Sequence, residues 1–385
     1  MHKINFKITI KVLQNILFFT GLTGILFYLS AHYSSLIAIQ YKSSMILAKI
    51  SLIILIIKIL ITKDKIWKYF LYAILIFIAY KCDCIINIPF HMSFIIIPII
   101  ASKNINTKVI IRYMLFYNII LLTIQIFCYI MHLNGVIKFS NIEEKKIFYR
   151  YGHIRHTFFF FHPNTFSNYL FWTYMMFAYL DFDNKKMRKY IVVIAVLLSI
   201  FVFLYSMSKN ASVFFLISIV FFYIFHNVKI QNNQLFQYLN ILLFSICLFV
   251  SFLFLFNYGK KGIFGTIINS INSVTSGRIK LGHDYFFEYG VNMFGMLMTN
   301  TRNLSAANVE SVVIDNWYYY MVIRLGLVFT FFYFILFLIS SYKFIQNKNF
   351  DKLYVITIFL LYNCIESVGI NPQLAFPYFF FGIFI

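Results

Sequence analysis

Long uninterrupted apolar runs recur along the whole chain, and they decide the solvent in which it folds. Ile50-Ser-Leu-Ile-Ile-Leu-Ile-Ile57 is typical. Runs of this kind lie near residues 12–30, 44–61, 66–80, 85–101, 110–132, 158–180, 190–207, 211–226, 236–257, 314–340, 353–370 and 372–385. A helix needs about 20 such residues to cross the hydrocarbon core of a bilayer. In lipid only helices and closed barrels satisfy their own backbone, and a barrel reads as alternation rather than as runs. The expected fold is an all-α polytopic membrane protein with about 12 transmembrane helices. It is expected to form a single membrane domain over residues 1–385. The chain is 61% hydrophobic and 12% charged, against about 25% charged in soluble domains. A soluble enzyme, a disordered chain and a collagen-like fibre are therefore excluded.

Charge placement predicts the path through the membrane. There are 33 Lys and Arg against 12 Asp and Glu, for a net charge of +21. A nucleic-acid binder would gather its cations on a soluble face. Here they lie in short segments between apolar runs, which suits membrane orientation and attraction to anionic lipid. No nucleic-acid partner is expected. With the N-terminus in the cytosol, seventeen Lys and Arg fall on inner segments, and Lys42, Lys81 and Lys209 alone fall in short outer loops. Positive-inside bias then predicts both termini cytoplasmic.

Two longer segments depart from that bias. Residues 133–157 form a smaller extracytoplasmic loop holding Lys138, Lys145, Lys146, Arg150 and Arg155. Residues 258–313 form a large one, between the ninth and tenth expected spans, holding Lys260, Lys261, Arg278, Lys280 and Arg302. Long translocated loops tolerate charge. These also carry most of the candidate chemistry, so outer cations facing an anionic substrate are the preferred reading.

The candidate residues fall in five groups. The first is Arg150-Tyr-Gly-His-Ile-Arg-His156, followed by His162-Pro163-Asn164 at the start of a span. Pro is well tolerated at a helix start, and polar groups in a span face protein or a water-filled cavity. The second is Ser276-Gly277-Arg278, with His283 and Asp284 beyond it. Arg278 suits bidentate contact with phosphate oxygens, and His283 suits a general base near neutral pH. The third is Asp315-Asn316-Trp317-Tyr318, with Arg324 and Gly326 further along the same run. The fourth is Glu366, an intramembrane carboxylate and so a functional candidate, with a structural ion pair to Arg324 as the alternative. The fifth is the turn Ser206-Met-Ser-Lys209. No Walker A loop, G-x-G-x-x-G or H-E-x-x-H is present, and the nine His lack metal-ligand spacing. Neither a metal nor another cofactor is expected. Five Cys, with Cys82 and Cys84 too close for an easy disulfide, give no covalent framework.

The ordered set resembles the O-antigen and capsular polysaccharide polymerases (Wzy-type), which share an architecture with the O-antigen ligases. The carrying residues are His162-Pro163-Asn164, Ser208-Lys209, Ser276-Gly277-Arg278, and Asp315-Asn316-Trp317-Tyr318 with Gly326. The resemblance covers about Arg150 to Gly326 and is one of hydropathy alone before that. It implies a glycosyltransferase of the bacterial cytoplasmic membrane, acting on undecaprenyl-pyrophosphate-linked oligosaccharide at the outer face. It also implies a chain-length regulator and a flippase of the same pathway as partners. His283, Arg278 and His162 become the expected catalytic groups. Arg150, Arg155, His156, Asn164, Lys209, Arg302, Asp315, Asn316, Trp317, Tyr318, Arg324 and Glu366 become the expected substrate contacts. The alternatives are a ligase with the same donor, or a flippase. Against a flippase stand the absence of two related halves and the few charges inside spans.

Overall fold

The structure is a computed structural model and describes residues 2–36, 41–86, 92–137, 148–150, 152–298 and 314–383. Its first helices are α1 (His2–Tyr33), α2 (Tyr41–Ile61), α3 (Ile66–Ile86), α4 (Ser93–Ala101) and α5 (Thr107–Leu133). Two three-residue strands follow, β1 (Phe148–Arg150) and β2 (His153–Arg155). Then come α6 (Pro163–Leu180), α7 (Arg188–Phe201), α8 (Lys209–His226), α9 (Val228–Gln231) and α10 (Gln234–Asn257). The last are α11 (Ile263–Val274), α12 (Arg278–Tyr289), α13 (Trp317–Tyr319), α14 (Leu327–Gln346) and α15 (Phe350–Tyr362). Two π-helical segments, Val202–Ser206 and Tyr320–Leu325, extend α7 and α13.

Among the described residues, seven helices are long and apolar enough to cross a membrane: Ile10–Tyr33, Ser43–Ile61, Thr107–Leu133, Arg188–Ser206, Lys209–His226, Gln234–Asn257 and Leu327–Gln346. The described residues thus form a predominantly helical, multi-pass membrane protein. Other apolar runs fold differently. Those near 85–101, 353–370 and 372–385 give α4, α15 and a short 3-10 segment at Phe376–Ile383, all shorter than a membrane crossing and largely buried. Apolar content marks a buried core helix as strongly as a span; length separates them. The run near 314–340 is divided at Gly326. There φ is 91°, and a side chain would strike the backbone of Met293 and Gly295. Only Gly fits, so a buried entry segment ends there and α14 begins.

The chain forms two compact units, one of residues 1–72, 94–224 and 372–385, the other of 73–93 and 225–371. In the first, α1 and α2 pack closely because Gly21 and Gly24 leave room for Leu55 and Ser51. Small residues let membrane helices approach in this way. The opposite face of α2 exposes Ile46, Ile50, Ile53, Ile57 and Leu60 at helical spacing, as a lipid-facing stripe requires. One set of buried amides and hydroxyls in this unit is mutually satisfied: Gln373 accepts from Tyr169 at 2.7 Å and donates to Asn118 at 2.9 Å. In the second unit Trp317 lies among Phe244, Tyr333, Phe337 and Phe359.

Candidate functional site

Each unit gathers one group of the sequence-derived candidates. In the first unit β1 and β2 form an antiparallel hairpin with Phe148 opposite Arg155 and Arg150 opposite His153. This hairpin delivers two guanidinium groups to one turn. Arg150 Nη1 donates to the Met207 carbonyl at 2.7 Å, and Arg155 Nε donates to that of Ser206 at 2.9 Å. The His156 amide donates to the Tyr205 carbonyl at 2.9 Å. Three successive carbonyls at the end of α7 and its π-helical extension are thus taken. Carbonyls at a helix C-terminus have no partner within the helix and carry its negative end, so cations belong there. Met207, at φ 50°, turns the chain, and Lys209 begins α8.

Arg155 reaches further. Its Nη2 donates to Asn164 Oδ1 at 2.7 Å, and the residue is only 8% exposed. The Asn164 amide donates to His162 Nδ1 at 3.0 Å, which makes His162 the N-cap of α6, with Pro163 in the first turn. An imidazole whose Nδ1 accepts carries its proton on Nε2 when neutral. His162 is one of the expected catalytic groups, and in this arrangement its neutral ring has its N–H donor at Nε2. Its ring lies edge-on to Phe148, with centroids 4.8 Å apart. His156 Nδ1 and the Tyr129 hydroxyl lie 2.7 Å apart, and the Ser167 and Ser206 hydroxyls are hydrogen-bonded. The first and fifth groups of the sequence are therefore one site. Residues 148–180 contain no Asp or Glu, nor do residues 184–283, so the segments that build the site bring cations without carboxylates of their own.

The second unit joins the second, third and fourth groups. Ser276 and Gly277, at φ 60° and 83°, turn the chain into α12, and Arg278 is the first residue of that helix. Arg278 Nε lies 2.9 Å from Asp315 Oδ2, and its Nη1 lies 2.9 Å from Glu366 Oε1. Nη1 also donates to the Ile365 carbonyl. Arg278 and Glu366 are buried, while Asp315 is 29% exposed at its side chain. One cation between two carboxylates does not make a receptor for an anion. Arg278, expected to contact phosphate, is thus held by two carboxylates, and one of the two is Glu366.

Asn316, Trp317 and Tyr318, expected to contact sugar, are buried at the start of α13. Asn316 Oδ1 accepts from the amides of Tyr318 and Tyr319 at 2.9 and 3.1 Å, capping α13. Its Nδ2 donates to the Cys364 carbonyl at 2.6 Å. Trp317 and Tyr318 are buried, and the Tyr318 hydroxyl donates to the Leu360 carbonyl at 3.0 Å. Arg324 is buried in the π-helical segment, with its guanidinium 5.5 Å from the Tyr320 ring centre. His283 is half-buried beside Tyr258 and Phe287, with Nδ1 3.5 Å from Asp284 Oδ1. Five residues along α12 from Arg278, it is rotated by about 140° from it around the helix. Arg278, Ile279 and Gly282 form the buried face. Arg278 and His283 thus point to different surroundings. Arg302 lies outside the described residues.

Sequence reasoning passed over Asn363. It is fully buried, and its carbonyl accepts from the Trp317 amide at 3.0 Å while Oδ1 accepts from Gly369 at 2.8 Å. A lone amide in an apolar run was the available signal. Among the described residues no group of three or more His, Cys, Asp or Glu is placed to hold a metal ion. No protein-family model, curated protein or solved structure matches this chain.

Proposed function

We propose that the chain is a polysaccharide polymerase of the O-antigen or capsule type in the bacterial cytoplasmic membrane. It would take undecaprenyl-pyrophosphate-linked repeat units at the outer face, with both termini cytoplasmic. The observation that carries this reading is the convergence of Arg150, Arg155, Asn164 and His162 on the Ser206–Lys209 turn. Residues some 50 positions apart in sequence meet, and among them His162 and Asn164 belong to the motifs that suggested the family.

The chemistry asked of the chain is a glycosyl transfer. The bond from the sugar anomeric carbon to pyrophosphate breaks, and the electron pair leaves with the pyrophosphate. The acceptor hydroxyl oxygen bonds to that carbon, and its proton passes to a base. Fixed cations and donors aimed at the departing charge supply most of such catalysis. Arg150, Arg155 and Lys209, with the Nε2 donor of His162, suit that role. His156, in the same unit and with Nδ1 2.7 Å from the Tyr129 hydroxyl, suits the base. The Asp315–Arg278–Glu366 group suits positioning of the polar segment that precedes α13.

Proteoliposomes holding the purified chain and lipid-linked repeat units test this. A ladder of products lengthened by whole repeat units is expected. Transfer of a single chain to a separate acceptor, without a ladder, points to the ligase reading. Movement of the donor across the bilayer with no new glycosidic bond points to the flippase reading. Either outcome overturns the polymerase assignment.

A further inference from the structure

α11 stands apart from the other helices. It is twelve residues long, too short to span a bilayer, yet it exposes Ile263 at 84%, Phe264 at 45%, Ile267 at 49% and Val274 at 69%. At 3.6 residues per turn these four and Ile271 fall within an arc of about 100°. Thr266, Asn269, Asn272 and Ser273 lie away from the stripe, with Ser270 at its border. Ile268, beside the stripe, and Gly265, among the polar residues, make the buried contact with the rest of the unit. A soluble loop helix would turn its apolar stripe inward. This one buries a narrow edge and leaves the stripe open.

The surroundings of α11 identify what covers the stripe. α10, a helix long and apolar enough to cross the bilayer, ends at Asn257, and α11 begins at Ile263. Six residues reach at most about 20 Å, so the start of α11 stays close to the end of a span. Gly259 and Gly262, at φ 74° and 106°, bend the chain between them. Lys260 and Lys261 sit exposed in that bend, and residues 258–283 contain no Asp or Glu. A stripe of large apolar residues, an uncharged Ser/Thr/Asn face and a lysine pair at one end are the features of a helix that lies in a membrane interface.

We propose that α11 lies in the plane of the bilayer interface beside α10. Its Ile263, Phe264, Ile267 and Val274 stripe enters the boundary between headgroups and acyl chains. Lys260 and Lys261 rest on anionic lipid headgroups. The partner is lipid, and the proposal does not depend on the activity proposed above.

Depth-dependent quenching tests it on the full chain reconstituted in nanodiscs. Ile267→Trp adds a reporter on the stripe, read as the difference from the parent chain with its own Trp67, Trp172 and Trp317. Asn269→Trp places the same reporter on the polar side. The stripe reporter is expected to emit blue-shifted and to be quenched about twofold more by lipid brominated near the headgroup than by lipid brominated near the chain end. The Asn269 reporter is expected to emit as indole in water and to stay unquenched. Equal quenching at both positions, or water-like emission from both, overturns the proposal. So does a blue-shifted stripe reporter that no bromolipid quenches, since a second copy or another protein segment then covers it. Lys260→Glu with Lys261→Glu tests the headgroup contact. The shallow quenching should fall in discs containing phosphatidylglycerol and stay unchanged in purely zwitterionic discs. Indifference to both charges and lipid removes the anionic-lipid part. Gel filtration of each variant separates these outcomes from misfolding.

Discussion

Arg155 and Asn164 are joined by one hydrogen bond, Nη2 to Oδ1 at 2.7 Å, while Arg155 Nε holds the Ser206 carbonyl. A single planar fork thus couples the start of α6 to the end of α7. Lysine carries the same charge but lacks the second donor plane. Arg155→Lys should therefore lower polymer formation at least tenfold, while the protein still inserts. Asn164→Ala should lose less, because Arg155 keeps its carbonyl contact. Product ladders from reconstituted protein, normalised to protein amount, measure both. Wild-type ladders from Arg155→Lys would remove the fork from the working site.

The Asp315–Arg278–Glu366 group makes a prediction about stability. Removing one partner of a buried ion pair leaves an uncompensated charge and costs about 3–5 kcal/mol. Arg278→Ala should strip two carboxylates of their cation and sharply lower the melting temperature in detergent. Arg278→Leu combined with Asp315→Asn and Glu366→Gln should recover most of that loss. A single variant as stable as the parent would show that the group is solvated rather than buried.

Gly326 and Gly290 form a matched pair. Both have positive φ, at 91° and 72°, but a side chain at Gly326 would meet the backbone of Met293 and Gly295, whereas at Gly290 it would meet nothing within 4 Å. Gly290→Ala should cost about 1 kcal/mol for its backbone conformation alone. Gly326→Ala should cost about 2–4 kcal/mol, backbone strain and clash together. Thermal unfolding of the two variants side by side measures the gap, and equal losses would contradict the close approach.

Asp83 gives a pH dependence. It accepts from the Met92 and Ser93 amides and from the Ser93 hydroxyl, at 2.6, 3.1 and 2.6 Å. Burial nevertheless pushes its carboxyl up to about 6, against the pull of those donors. The unfolded chain releases the same proton near 4. Between those values the folded protein holds more protons, so stability falls as pH rises through that window and remains lower above it. The loss is about 2–3 kcal/mol. Asp83→Asn removes the charge and keeps one of the two acceptor oxygens, so it lowers stability at every pH but should flatten this part of the profile. Melting curves between pH 4 and 8 decide it; identical slopes in the two proteins would exclude Asp83 as the source.

What the sequence made legible was the chemistry of single segments. The apolar runs foretold a helical membrane protein, and the His162-Pro163-Asn164 motif correctly sat at a helix start. The run over 314–340 misled, because its composition is uniformly apolar while Gly326 alone breaks it. Pairings were harder still. Arg278 reads as a free phosphate-binding cation until Asp315 and Glu366 are seen beside it, and nothing in the local pattern assigns those partners. The carbonyls of Tyr205, Ser206 and Met207 have no sequence signature at all, since every residue carries one. Trp317 and Tyr318 suited a sugar platform by type, and only their burial assigns them to the core.

The bond between Arg278 and Glu366 also sets an order of events during synthesis. Arg278 leaves the ribosome about 90 residues before its main partner, and at roughly 10 residues per second that interval is about 9 s. Until then the guanidinium has no reason to leave water. The start of α12 must wait in water while α14 and α15 are made, and it can settle only when the last part of the chain brings its carboxylate. A chain truncated before Glu366 would therefore leave this unit unfinished, however well its earlier helices had inserted.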